Sequence, residues 1–178
     1  MCISGIKWEL FVYFYKDFFE DMTTFIGDYP CKLDVKGRLM FPAAFKKQMS
    51  SSSEPDKFVV KKDIYEKCLI VYPMDEWDRQ MNIIRSKINP YNKEHNRFLR
   101  EFSRGVAEVV IDNANRLLIP KRLLDLVGIE KEIVLAGQMG KIEMWDKNVY
   151  DQIREPEDDF AALAEKILGG SITDEDKK

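Results

Sequence analysis

The sequence predicts an α+β domain in which two ββα-ββ repeats share one core, with flanking and connecting helices. Three observations predict it. The stretch Lys32-Leu33-Asp34-Val35-Lys36-Gly37-Arg38-Leu39-Met40-Phe41-Pro42 returns as Val110-Ile111-Asp112-Asn113-Ala114-Asn115-Arg116-Leu117-Leu118-Ile119-Pro120, with Asp, Arg and Pro at identical spacing and the flanking positions still apolar. The likeness continues downstream. Lys57-Phe58-Val59-Val60 is answered by Glu132-Ile133-Val134-Leu135, Leu69-Ile70-Val71-Tyr72 by Ile142-Glu143-Met144-Trp145, and Trp77-Asp78 by Tyr150-Asp151. Finally, a unit of about 45 residues is too small to bury an adequate core by itself, so the two units are expected to complete one another.

Residues 1–27 read as an N-terminal extension. Its aromatic cluster, Phe11 to Tyr15 and Phe18-Phe19, is broken by Glu9, Lys16, Asp17, Glu20 and Asp21. No small-residue cleavage site follows, which favours a peripheral helix or a disordered extension over a signal peptide. Met22 stands just before the first repeat, so a natural start there is a second reading, tested by the mass of the endogenous protein.

The first repeat, 28–76, opens with apolar residues bracketing Asp34, two variable residues, Gly37 and Arg38, the pattern of strand, tight turn, strand. Gly37 takes positive φ without steric cost, and Asn115 in the matching place is one of the few other residues that tolerate it. Asp34 and Asp112 can accept hydrogen bonds from the amides of their own turns. Pro42 and Pro120 each sit where strand passes to helix, at a position that sacrifices no helical hydrogen bond. Phe45 with Met49, and Leu123 with Val127, then fall on one helix face, and Gly128 terminates the second helix. Ser50 to Asp56 is a polar loop that lengthens the first unit.

A helical connector occupies 77–105. The pattern reads as a helix from Glu76 to about Ile88, a stop at Asn89-Pro90, and a second helix from Asn92 to Arg104. Phe98, Leu99 and Phe102 lie on one side of the second helix and Lys93, Arg97, Arg100 and Arg104 elsewhere, which suits a cover for the shared core or a contact with a neighbouring chain. The second repeat spans 106–149. Residues 150–178 hold a further helix, Pro156 to Leu168, with Phe160, Leu163, Ala164 and Ile167 on one face, and an acidic tail.

With 178 residues, 45% apolar and 33% charged, the chain has an ordinary globular composition. The net charge of −3 hides an asymmetry: Cys31 to Lys62 carries 8 Lys or Arg against 3 acids, whereas Glu143 to the end carries 11 acids against 5 bases. The first unit is thus the basic one, and any polyanion is expected there. Cys2, Cys31 and Cys68 form no paired spacing, so a disulfide framework is not expected and a reducing, cytoplasmic compartment is. No apolar run is long enough to span a membrane.

Catalytic chemistry finds little support. His95, the one histidine, lies in a charged helical stretch without a Cys or carboxylate constellation. No metal-ligand spacing is present, and neither a cofactor nor a small-molecule substrate is expected. Gly137-Gln138-Met139-Gly140-Lys141 lacks the Ser or Thr of a phosphate loop and falls between two strand-like runs, where a hairpin turn is expected. No serine stands in a nucleophile elbow. What remains is the doubled turn with an Arg after each. Arg38 and Arg116 can hold the turn through Asp34 and Asp112, or offer a planar fork to phosphate or to a guanine edge, and the two roles are compatible.

On both Asp-x-x-x-Arg motifs, on Ile133 to Asp146, on the Tyr-Pro before Glu76-Trp77 and on Asn89-Pro90 ahead of the connector, the chain resembles the MraZ family over about residues 22 to 151. These are bacterial transcriptional regulators associated with the division and cell-wall gene cluster. The resemblance implies a swapped-hairpin, double-split β-barrel of the SpoVT/AbrB-like kind made from the two repeats. It further implies a ring-like homo-oligomer that binds short direct repeats in double-stranded promoter DNA at its own operon, usually as a repressor, which would place it at the nucleoid. Carried over by position, the first motif supplies Asp34, Lys36 and Arg38 and the second Asp112 and Arg116. Ala114 stands where Lys36 has its counterpart, which leaves an equal role for the two repeats unsupported.

The expected interface is a basic edge with Arg38 at base edges and Lys32 and Lys36 on phosphates, joined by Lys61 and Lys62, and with Arg116 from the second repeat. Gly37 and Asn115 with Asp34 and Asp112 shape the turns. A second reading of a different class is an interaction module, antitoxin-like or scaffolding, since this barrel type also serves antitoxins.

Overall fold

The computed structural model describes residues 23–49, 54, 56–153 and 156–169. The expectations for residues 1–22, for Ser50 to Ser53 and for the acidic tail therefore lie outside the described residues. The first repeat contributes strands β1 (Asp28–Lys32) and β2 (Arg38–Met40), helix α1 (Ala43–Gln48), and strands β3 (Lys57–Lys62) and β4 (Leu69–Pro73). The connector holds α2 (Met74–Lys87) and α3 (Lys93–Phe102). The second repeat contributes β5 (Ala107–Val110), β6 (Arg116–Leu118), α4 (Lys121–Val127), β7 (Glu132–Gln138) and β8 (Lys141–Asp146). The class is α+β with antiparallel strand pairing.

The repeats exchange strands. A six-stranded sheet runs β1-β7-β8-β4-β3-β5, and β2 and β6 form a separate two-stranded ribbon. Thus β1 of the first repeat pairs with β7 of the second, from Asp28 opposite Ala136 to Lys32 opposite Glu132. Reciprocally, β5 of the second repeat pairs with β3 of the first. The local hairpin expected at each motif is accordingly split: its two arms diverge beyond the turn, and each finds its partner in the other repeat. The exchange follows from the size of the units, because each repeat alone would leave a strand edge and an apolar face uncovered.

Packing repeats the symmetry of the sequence. Leu33, Leu39, Phe41, Phe45 and Met49 are buried in the core together with their counterparts Ile111, Leu117, Ile119, Leu123 and Val127. Phe45 meets the rings of Tyr29 and Phe25 edge-on, at centroid distances of 4.8 and 5.4 Å. Burying such a ring contributes about 1.5–3 kcal/mol. Pro42 and Pro120 stand one position earlier than expected, as the residues capping α1 and α4, with φ of −59° and −57° and extended ψ. Gly128 ends α4 at φ 70° in the left-handed region.

The connector helices differ from expectation by a residue or two at their ends. Asn92 precedes α3 as its cap, its Oδ1 accepting from the amides of Glu94 and His95 at 2.8 and 3.2 Å. His95 serves the same loop, its Nδ1 accepting from the amide of Asn89 at 2.9 Å. Phe102 lies stacked on Trp77, with centroids 5.8 Å apart and planes 12° from parallel, and Trp77 in turn meets Tyr72 of β4. The described residues from Asn148 onward form a second compact unit. It contains α6 (Glu157–Leu168), preceded by α5 (Lys147–Gln152), and Phe160, Leu163 and Ile167 of α6 are exposed. Among the described residues no helix is long and apolar enough to cross a membrane.

Candidate functional site

Each Asp-x-x-x-Arg motif folds into the same closed turn. In the first, Oδ1 of Asp34 accepts from the amides of Lys36 and Arg38 at 2.8 and 2.9 Å, and Oδ2 accepts from Nε and Nη2 of Arg38 at 2.7 and 2.6 Å. In the second, Oδ1 of Asp112 accepts from the amides of Ala114 and Arg116, both at 2.9 Å, and Oδ2 from Nε and Nη2 of Arg116 at 2.9 and 2.8 Å. Backbone bonds from Gly37 to Asp34 and from Asn115 to Asp112, both 2.9 Å, complete the turns. One carboxylate thereby orders two backbone amides and fixes a guanidinium.

The electrostatics follow from those donors. The Asp34 carboxyl is held below its ordinary range chiefly by the Arg38 amide, then by the Arg38 side chain and the Lys36 amide. For Asp112 the Arg116 side chain comes first and the Arg116 amide second. Both acids are therefore ionised at neutral pH, each facing a guanidinium that is permanently charged. Nε and Nη2 of each arginine are committed to the carboxylate, so Nη1 is the edge of the fork left for a ligand.

Position four of each turn needs a left-handed backbone, and the two repeats meet that need with different residues. Gly37 has φ 81° and Asn115 has φ 58°. The carbonyl of each then accepts from a strand end of the other repeat: Ile119 N–H donates to Gly37 and Phe41 N–H to Asn115, both at 3.0 Å. Asn115 adds a bond of its own, Nδ2 donating to the Phe41 carbonyl at 2.8 Å. A side chain at Gly37 would meet the Ile119 carbonyl oxygen, which is only 3.0 Å from where a Cβ would sit. Each turn is thus locked by the repeat it does not belong to.

The two turns lead into opposite ends of the ribbon of β2 and β6, where Arg38 lies opposite Leu118 and Met40 opposite Arg116. Lys36 is exposed on its turn. Beside it lies a hollow of about 300 Å³ lined in part by Asp34, Lys36 and Gly37 and by Lys121, Asp125 and Glu130 from the second repeat. Lys32, at the end of β1, is exposed but faces Glu132, with 3.3 Å between Nζ and Oε1. Lys61 stands apart from this group. It is 5% exposed, its Nζ lies 3.8 Å over the ring of Phe102, and desolvation pushes its pKa down. Lys62 is exposed on β3, separated from β1 in the sheet by β7, β8 and β4. The basic edge that included Lys61 and Lys62 therefore contracts to the residues around the first turn.

Three features of this surface escape the sequence reading. Lys121 adds a cation beside the first turn, Asn115 bonds across the repeats, and Met40 and Leu118 are exposed between the arginines. The alternation Arg-Leu-Met and Arg-Leu-Leu, with its central leucine buried, is the signal that could have found the last pair. Among the described residues no group of three or more His, Cys, Asp or Glu side chains could hold a metal ion.

The family described as "MraZ protein, putative antitoxin-like" matches residues 24–101 and again residues 102–169. Among similar proteins, the transcriptional regulator MraZ of Christiangramia forsetii is 45% identical over 86% of this chain and 98% of its own. That of Flavobacterium psychrophilum is 44% identical, again over 86% and 98%. That of Bacteroides fragilis is 35% identical over 83% of this chain and 92% of its own. With both repeats matched and relatives of this identity aligned over nearly their whole length, the chain belongs to the MraZ family.

Proposed function

We propose that this protein is a transcriptional regulator that binds double-stranded promoter DNA in a sequence-specific manner, as a repressor of its own division and cell-wall gene cluster. The observation that carries the reading is the pair of arginines, each clamped by an aspartate on a closed turn, brought together on one β-ribbon. A guanidinium held in place before binding loses little further freedom when it meets a guanine edge or a phosphate. Arg38 would take base edges, with Lys36 and Lys32 on phosphates and Arg116 in support from the second repeat. Lys121 joins Lys36 as a candidate phosphate contact. The printed names of the relatives support the regulatory reading.

The reciprocal pairing of β1 with β7 and β5 with β3 supports a swapped-hairpin, double-split barrel built from repeats at 28–76 and 106–149, with 77–105 as connector. One copy of the turn reaches few phosphates and binds weakly. A ring-like homo-oligomer presenting several copies to tandem sites gains through effective concentration, so repeat spacing becomes part of specificity. The compartment that follows is the cytoplasm, at the nucleoid.

Footprinting of the purified protein on the DNA upstream of its own gene tests the proposal. Protection of regularly spaced short repeats by the wild type, lost in Arg38→Ala while native mass spectrometry finds the assembly intact, is the expected result. Equal protection by the variant removes Arg38 from the site. An antitoxin-like interaction module is the second reading, favoured by the wording of the family description. A stable protein partner retained through purification, with no footprint on the upstream DNA, would support it in place of the first.

A further inference from the structure

The outward face of the β2–β6 ribbon carries more than its arginines. Leu39 and Leu117 point into the core, each 1% exposed, so alternation turns Arg38, Met40, Arg116 and Leu118 to the other face. Met40 is 58% and Leu118 51% exposed there. Register places Arg38 opposite Leu118 and Met40 opposite Arg116. The four side chains form a checkerboard in which each apolar tip has an arginine directly across the ribbon and another two residues along its own strand.

We propose that Met40 and Leu118 are specificity-determining residues that read thymine 5-methyl groups in the major groove, beside bases contacted by Arg38 and Arg116. The inference rests on the DNA-binding reading above and deepens it. A two-stranded ribbon is one of the two elements a major groove admits. Neighbours across the ribbon have Cβ atoms about 4.5–5.5 Å apart, and residues two apart on one strand are separated by about 6.8 Å, close to two base-pair steps. A long apolar side chain beside an arginine can therefore touch the base next to the one the arginine binds. In that groove the thymine methyl is the apolar group that an apolar side chain can recognise. Each guanidinium commits Nε and Nη2 to its aspartate and keeps Nη1 as a charged donor that a base edge or phosphate satisfies and an apolar surface of a second copy would bury unpaired, which selects DNA as the occupant.

The probe is the duplex upstream of the protein's own reading frame, amplified once with thymidine and once with deoxyuridine in every thymidine position, so that only the methyl groups differ. The wild type is expected to bind the uracil duplex more weakly, by about four-fold for each recognised methyl group that is absent. Met40→Ser with Leu118→Ser, both at exposed positions, is expected to weaken binding to the thymine duplex and to remove the difference between the two duplexes. Equal wild-type affinity for both duplexes overturns the inference while leaving DNA binding in place. So does a double variant that keeps the thymine preference, and if its assembly has also fallen apart, the face is a contact between copies. If the wild type retains neither duplex, the DNA-binding reading fails and this inference falls with it.

Discussion

The amide of Ile119 donates to the carbonyl of Gly37 at 3.0 Å, tying a strand end of the second repeat to the turn of the first. Phe41 and Asn115 make the mirror bond at the same distance. The residues that shape each turn are therefore the residues that join the repeats, so local geometry at the candidate site and assembly of the core depend on the same bonds. A change at either position is expected to be read in stability as well as in binding.

Gly37→Ala places a Cβ 3.0 Å from the Ile119 oxygen at a φ of 81°. The left-handed backbone alone costs about 1–2 kcal/mol for an alanine. Gly37→Asn is expected to cost less, because Asn115 already occupies the equivalent place and donates across the repeats to Phe41 at 2.8 Å. Urea denaturation of the two variants checks the order, and an asparagine variant less stable than the alanine one contradicts it.

Acid should loosen the turns before it unfolds the core. Both aspartates have folded pKa values lowered from the ordinary 3.8, so their stabilisation is fully present above that value and is lost as pH falls through the lower folded value. Carboxyl carbon shifts of Asp34 and Asp112 in an NMR titration are expected to show midpoints below 3.8, with the amides of Lys36 and Arg38 moving in parallel with Asp34. Between pH 5 and 8 these two groups should contribute no slope to stability.

What the sequence discloses here is local. The Asp to Arg interval and the Gly or Asn before each Arg lie within five residues, so the turn is written in one short stretch. The likeness of the two stretches also announces that the units share a core. Strand partners are another matter: pairing of Cys31 with Ile133, or of Phe58 with Val109, joins residues far apart in the chain, and no local propensity encodes it. Lys61 shows the same limit. Its neighbour Lys62 is exposed, whereas Lys61 is buried with its ammonium over the ring of Phe102, which comes from a helix beyond the connector's first.

The two repeats should differ in DNA binding although their turns are alike. Arg38 has Lys36 on its own turn and Lys121 beside it, whereas Arg116 has Ala114 where Lys36 has its counterpart. Arg38→Ala is expected to lose about 1–3 kcal/mol of binding per site, multiplied by the number of sites engaged, and Arg116→Ala less. Arg38→Lys should also lose affinity, since an ammonium cannot hold Asp34 through two nitrogens and still offer a third. Lys36→Ala should weaken binding to all sequences alike and lower the salt slope by about 1. Gel-shift titrations at several salt concentrations separate these cases. Arg116→Ala as damaging as Arg38→Ala would make the repeats equivalent.

Lys61 separates structure from recognition. The residue is 5% exposed and its ammonium lies 3.8 Å over Phe102, which itself stacks on Trp77, so the cation belongs to the contact that seats α3. Desolvation lowers its pKa from the ordinary 10.5, which means the unfolded chain binds the proton more tightly. Stability should therefore rise with pH through the window between the folded value and 10.5, and that rise should vanish in Lys61→Met. At neutral pH the methionine fills the space without a buried charge, and the variant is expected to be as stable as the wild type or more so. Phe102→Leu instead removes the stacking on Trp77 and the face under Lys61, and about 1–3 kcal/mol is expected to go with them. DNA affinity measured on Lys61→Met decides the matter: an unchanged value keeps Lys61 within the scaffold, and a loss comparable to that of Lys36→Ala would return it to the interface.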